Sequence, residues 1–215
     1  VDNFLWANDF HSVFLVAIIP AFLSVGLLLI GIREPQSPQQ GAPRTSPLRL
    51  ENLRRLSGAY WSVVVLATLF SMARFSEAFL VMRAQQGGLP IAYAPLVLIL
   101  MNAVYALAAY PFGKLADSLS HARLLTLGIL VLLAAQIALA LGNQGVLLWG
   151  GLVLWGLHMA LTQGLLSAMV AETAPAALRG TAFGFFNLLS GLSMLFASAF
   201  AGLLWDTFGA SSTFL

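Results

Sequence analysis

Apolar residues run through this chain in stretches too long for the interior of a water-soluble domain. Six of them, at about residues 11–32, 59–82, 91–112, 124–142, 146–171 and 181–205, reach the roughly 20 residues a helix needs to cross a hydrocarbon layer. No water satisfies backbone N–H and C=O groups in that layer, so each stretch is expected to be a helix bonding its own backbone. A seventh begins near Gly209. The joints are short and hold the charges and helix breakers: Arg83 to Pro90, Gly113 to Arg123, Asn143 to Gly145 and Glu172 to Gly180. One connection is long. Arg33 to Gly58 carries Pro35, Pro38, Pro43 and Pro47 among Gln, Ser and Arg, a composition suited to an extended linker.

Composition sharpens this picture. The 215 residues are 60% hydrophobic and 8% charged, against about 25% charged in a soluble domain, which excludes a water-soluble fold. A net charge of +2 is too small to signal a nucleic-acid partner. There is no Cys and only three His, so no disulfide, thiolate chemistry, metal site or cofactor is expected. Motifs of membrane enzymes such as His-Glu-x-x-His or Gly-x-Ser-x-Gly are absent from the sequence, and the chain is read as a non-enzyme. It starts at Val1 and stops in the apolar Ser211–Leu215, so it reads as a segment of a longer chain.

The Lys and Arg residues orient the spans. With the long linker on the cytoplasmic side, Arg33, Arg44, Arg49, Arg54, Arg55, Lys114, Arg123 and Arg179 lie inside and only Arg83 outside, a strong positive-inside bias. Residues 1–10, with Asp2 and Asp9, then form an outer end, 11–32 the first span, 33–58 a cytoplasmic basic linker, 59–205 five further spans and 206–215 an outer loop leading into a last one. A cytoplasmic membrane of bacterial type fits this layout. Leu48, Leu53 and Leu56 alternate with Arg49, Arg54 and Arg55, so the linker's end is either a short helix on anionic headgroups or a solvated tether.

Ionisable residues inside spans cost about 2.5–3.5 kcal/mol each on insertion scales and mark sites or aqueous cavities. Arg74 and Glu77 stand three apart, on one face if the second span is a continuous helix. They are either a positioning ion pair or a proton or substrate site. In the fifth span Trp155, His158 and Thr162 share a face; His158 is either a proton relay or a hydrogen-bonding core residue. Asn102 and Tyr105 share a face of the third span, and Phe183, Asn187, Ser190 and Met194 a stripe of the sixth. Polar positions thus recur in the second, third, fifth and sixth spans, which are expected to enclose water, while the fourth carries only Gln136 and the first only Ser24 and its terminal His11. Aromatics, Met and one carboxylate along those stripes suit an amphipathic or weakly polar solute better than a highly charged one. Close helix approach is expected at Gly180/Gly184, Ala160/Gly164 and Ser198/Gly202.

After the third span, Gly113-Lys114-Leu115-Ala116-Asp117 leads through Ser120 to Arg123. This resembles the cytoplasmic loop signature of the major facilitator superfamily, with Ser120 where a second Gly is usual. Glu172-Thr173-Ala174-Pro175 and Arg179-Gly180-Thr181-Ala182-Phe183-Gly184 resemble the family's later cytoplasmic loop and the helix after it. The resemblance covers nearly the whole chain and implies an all-α polytopic membrane protein, the sixth to the start of the twelfth of twelve helices, with the fourth span peripheral. It implies a partner in the N-terminal six-helix half of the same longer chain, and a small-molecule substrate moved by alternating access. It also gives a conformational latch role to Gly113, Asp117, Arg123, Glu172, Arg179 and Gly180. Proton-coupled efflux, with Glu77 first and His158 second as proton carriers, is the leading expectation; a sugar-like solute facilitator or importer, or a non-transporting sensor or scaffold, stands beside it.

Overall fold

The computed structural model describes residues 10–31 and 50–215. Asp2, Asp9, Arg33, Arg44, Leu48 and Arg49, on which parts of the outer end and the linker reading rest, lie outside the described residues. Among those described, all regular structure is helical. The chain divides into two compact units, residues 1–44 and 45–215. The first holds helix α1 (Phe10–Gly31), which keeps Pro20 in its interior and exposes Ile19, Phe22, Leu27, Leu29 and Ile30.

The second unit is a bundle. Its helices are α2 (Leu50–Arg54), α3 (Gly58–Met72), α4 (Ala78–Gln86), α5 (Ala94–Ala116), α6 (His121–Leu141), α7 (Gly145–Thr173), α8 (Arg179–Phe208) and α9 (Ala210–Thr213). Among the described residues, four apolar segments are long enough to cross a membrane: the one ending in α5, from Ile91, then α6, α7 and the one ending in α8, from Ala176. Their outward faces carry Leu107, Leu130, Leu133, Ile137, Leu195, Phe196 and Leu203, exposed apolar side chains that fit a lipid surround. The protein is an integral membrane protein of all-α, polytopic type.

The span expected at 59–82 is not one helix. It stops at Met72 and resumes at Ala78, and residues 73–77 are non-helical. The break falls at the seam of two cores. On one side Tyr60, Val64, Ala67 and Phe70 of α3 pack with Leu124, Leu165, Val170 and Ala182. On the other Phe75, Leu80 and Ala84 pack with Met101, Leu132, Leu152, Trp155 and Phe214.

α7 is the axis of the bundle, packed along α5 and α6 and touching α3 and α8. Glycines set this closeness, but not those the sequence suggested. Among the described residues, a Cβ at Gly164, Gly180 or Gly184 would meet nothing within 4 Å, and at Gly202 only the Phe79 ring, at 3.8 Å. At Gly156 it would stand 2.6 Å from the Met101 carbonyl oxygen on α5, and at Gly128 it would run into the Thr162 methyl on α7. These are the positions where absent side chains let helix backbones meet. α6, expected at the periphery, buries Leu132, Ala135 and Leu139 along α7 and leaves Leu130, Leu133 and Ile137 of its other face exposed.

The end of the linker also departs from both expectations. Its helix, α2, is only one turn long; Leu56 is buried in the first core and Leu53 packs on it, so these leucines are covered by protein instead of lipid or water. Ser57 then starts α3: its Oγ accepts from the Tyr60 N–H at 3.1 Å and donates to the Thr173 carbonyl at 3.2 Å. Tyr60 donates its hydroxyl to the Ala182 carbonyl at 3.0 Å, joining α3 to α8.

Candidate functional site

Breaking a helix inside a membrane frees backbone groups that need partners. The Ala73 and Arg74 N–H groups bond back to Phe70 and Ser71, and two further partners come from other elements. Gln136 of α6 donates Nε2 to the Ala73 carbonyl at 2.9 Å, and the Ser76 N–H donates to Ser198 Oγ of α8 at 3.0 Å. Ser76 in turn accepts from the Ala78 N–H at 3.3 Å, a local cap that helps α4 restart. Phe75 turns into the second core against Trp155, with ring centroids 5.6 Å apart, and against Phe214, at 5.3 Å.

Arg74, next in line, borders an opening of about 280 Å³ between α3 and α8, lined also by Ser71, Asn187, Ser190, Gly191 and Met194. The structure therefore brings Arg74 and Asn187 together. It does not bring Arg74 and Glu77 onto one helix face, since the intervening backbone is not helical. Nor do the two pair: among the described residues the one ion pair within 4 Å joins His121 Nδ1 to Glu172 Oε2, at 3.7 Å. Glu77 sits half-buried at the start of α4, its side chain making no capping bond.

Trp155, His158 and Thr162 stay together but are enclosed by protein, all three fully buried between α7 and its neighbours. His158 Nδ1 bonds the Gly128 carbonyl at 3.1 Å; because a carbonyl only accepts, Nδ1 carries the proton. Thr162 returns its hydroxyl to the His158 carbonyl at 2.8 Å. The rings of Phe70 and Trp155 flank the imidazole, at 5.2 and 6.3 Å. Asn102 is exposed on α5, bonding its own helix at Leu98 (2.8 Å), and belongs to neither group.

A second opening, about 550 Å³, lies between α5 and α7 and gathers Tyr105, Gly113, Asp117, His121, Gly164 and Glu172. Of the loop residues singled out in the sequence, Gly113, Asp117 and Glu172 meet here, while Arg123, Arg179 and Gly180 are exposed and do not line it. α8 begins at Arg179 with no side-chain capping bond from Leu178. Among the described residues no three His, Asp or Glu side chains gather as metal ligands.

Sequence reasoning passed over Arg83. It is buried, with Nε donating to the Leu139 carbonyl at 2.8 Å and Nη2 to the Ala140 carbonyl at 3.0 Å and to Ser211 Oγ at 3.1 Å. The guanidinium thus serves the free carbonyls at the end of α6, where a cation is also favoured by the helix dipole. Its one visible signal was position, a lone cation in the joint after the second span.

The family model of the Major Facilitator Superfamily matches residues 4–214. The chain belongs to that superfamily. A curated relative, an uncharacterized MFS-type transporter of Methanocaldococcus jannaschii, is 28% identical over 205 residues, which cover 92% of this chain and 50% of the relative. This major facilitator chain thus spans about half the length of that relative. No solved structure matches it.

Proposed function

We propose that the chain is the second six-helix half of a secondary transporter that exports small organic molecules by alternating access, driven by protons. The observation that carries this reading is the break at 73–77, where a cation borders an opening and a carboxylate stands three residues away within an interrupted span. Discontinuous helices with backbone partners supplied by their neighbours are a means of building a midplane site that can be re-aimed. Glu77 is the proton carrier in this scheme. It has no ion-pair partner within 4 Å among the described residues, so gaining a proton removes its charge without first breaking a bond, and its attraction to Arg74 then vanishes. Asn187, beside Arg74, and Tyr105, in the second opening, add polar contacts along the route, while Asn102 lines neither opening and His158 stays within the packed core.

Asp117 is the latch. In the present conformation it faces the second opening beside His121 and Glu172. Rocking of the bundle against its other half would carry it to Arg179 or to the start of α8, a charge-assisted contact made in one state and released in the other. The test is flux in liposomes holding the full-length protein, preloaded with labelled organic acids, sugars and neutral amphiphiles under an imposed pH gradient. Uphill movement of a solute, slowed by Asp117→Asn with membrane insertion unchanged, is the expected result. Absence of gradient-driven flux for every class would overturn the transport reading, and an unaffected Asp117→Asn rate the latch.

A further inference from the structure

Resting on that reading, we propose that the opening beside Arg74 takes a small amphipathic carboxylate, with the Arg74 guanidinium as its charge partner. This narrows the expectation drawn from the aromatic and Met stripes, an amphipathic or weakly polar solute in preference to a highly charged one, to an amphipathic solute carrying a single negative charge.

Four observations carry it. Arg74 has no carboxylate within 4 Å among the described residues; Glu77, the one acid in its segment, acts on it only through space and makes no contact with it. Its Nε is buried and has no hydrogen-bond partner. Leaving a guanidinium unpaired in a membrane interior is expensive, and an oxyanion is the group that matches it, accepting two parallel N–H bonds at once. The remaining lining supplies donors and an apolar wall: Ser71, Ser190 and the Asn187 amide beside Met194, with no acidic side chain among them. Near Arg74 the polar side chains His158 and Trp155 are both fully buried, and His158 Nε2 and Trp155 Nε1 also lack hydrogen-bond partners. A volume of about 280 Å³ lies just under the usual range of small-molecule sites. One ring or short chain with a single carboxylate suits it.

The experiment is thermal unfolding of the full-length protein in detergent with phenylacetate and 4-phenylbutyrate, against their neutral amides. The carboxylates should raise the unfolding temperature saturably while the amides do not. Arg74→Gln should weaken the carboxylate's apparent affinity about tenfold or more, as loss of a charge-assisted bond implies, and Arg74→Lys should fall between. Asn187→Leu, on α8 and away from the break, is the second variant should Arg74→Gln not fold; it should weaken carboxylate binding by a smaller factor. Equal stabilisation by acid and amide, no stabilisation by either, or affinity unchanged in these variants would overturn the assignment. Carboxylate-selective binding without any gradient-driven flux would overturn only the transport reading, and driven flux of neutral amphiphiles without carboxylate binding only this one.

Discussion

Two regions of the bundle place polar side chains at membrane depth, and they treat them in opposite ways. At residues 73–77 the helix gives way, Arg74 borders an opening, and neither Arg74 nor Glu77 has an ion-pair partner within 4 Å among the described residues. Along α7 the helix is unbroken, and Trp155, His158 and Thr162 are sealed by aromatic rings and neighbouring backbone. Both regions are conspicuous in the sequence for the same reason, polarity within an apolar run. What separates them is whether adjacent helices cover the polar face, and that is decided by residues distant in the chain.

The contrast breaks most visibly if Glu77→Gln leaves proton-driven flux intact. The expected outcome is that uphill movement in liposomes collapses to passive leakage while the protein still folds, since the side chain makes no capping bond. Next in size is Gly156→Val, which attacks the sealed region. Its Cβ would stand 2.6 Å from the Met101 carbonyl oxygen and 3.0 Å from Val104 Cβ, so α5 and α7 must part, at a cost of about 2–3 kcal/mol by analogy with overpacked cores. Thermal unfolding of the purified variant reads that loss directly. His158→Phe should cost less, about 1 kcal/mol for the hydrogen bond to Gly128, and should leave the pH profile of transport where it was. A shifted profile would mean the imidazole exchanges protons with the route after all. The smallest effect belongs to Gln136→Leu, which strips the Ala73 carbonyl of its cross-helix donor and should cost about 0.6 kcal/mol, the average for such bonds in membranes. Faster amide exchange confined to residues 73–77 would locate the damage.

Much of the fold could be read from the chain itself, because length and hydropathy suffice to define a span in lipid. The segments ending in α5 and α8, together with α6 and α7, fall where the third to sixth apolar runs were expected. The break could not be read. Met72 to Glu77 contains neither Gly nor Pro, and the groups that satisfy it lie 63 and 122 residues away, on Gln136 and Ser198. Ser76 was the sole local hint. Glycine pairs four apart proved poor guides to helix contact because spacing finds a smooth face without naming its partner, whereas Gly128 and Gly156 owe their importance to Thr162 and Met101 opposite them. Periodicity likewise grouped Trp155, His158 and Thr162 correctly on one face but carried no information about the roof over it. The loop from Gly113 to Asp117 was legible as a motif, and its proximity to Glu172 and His121 required the packing of α5 on α7.

Arg83 gives the interrupted span a mechanical asymmetry. The short arm beyond the break is bolted at its far end to the terminus of α6 and to Ser211 by three hydrogen bonds, while the break itself is tied across helices by single hydrogen bonds from Gln136 and to Ser198, with Phe75 packed in the second core. Force applied along that span therefore finds its compliant point at Arg74 and Glu77, so a tug on either helix is felt first by the two charges.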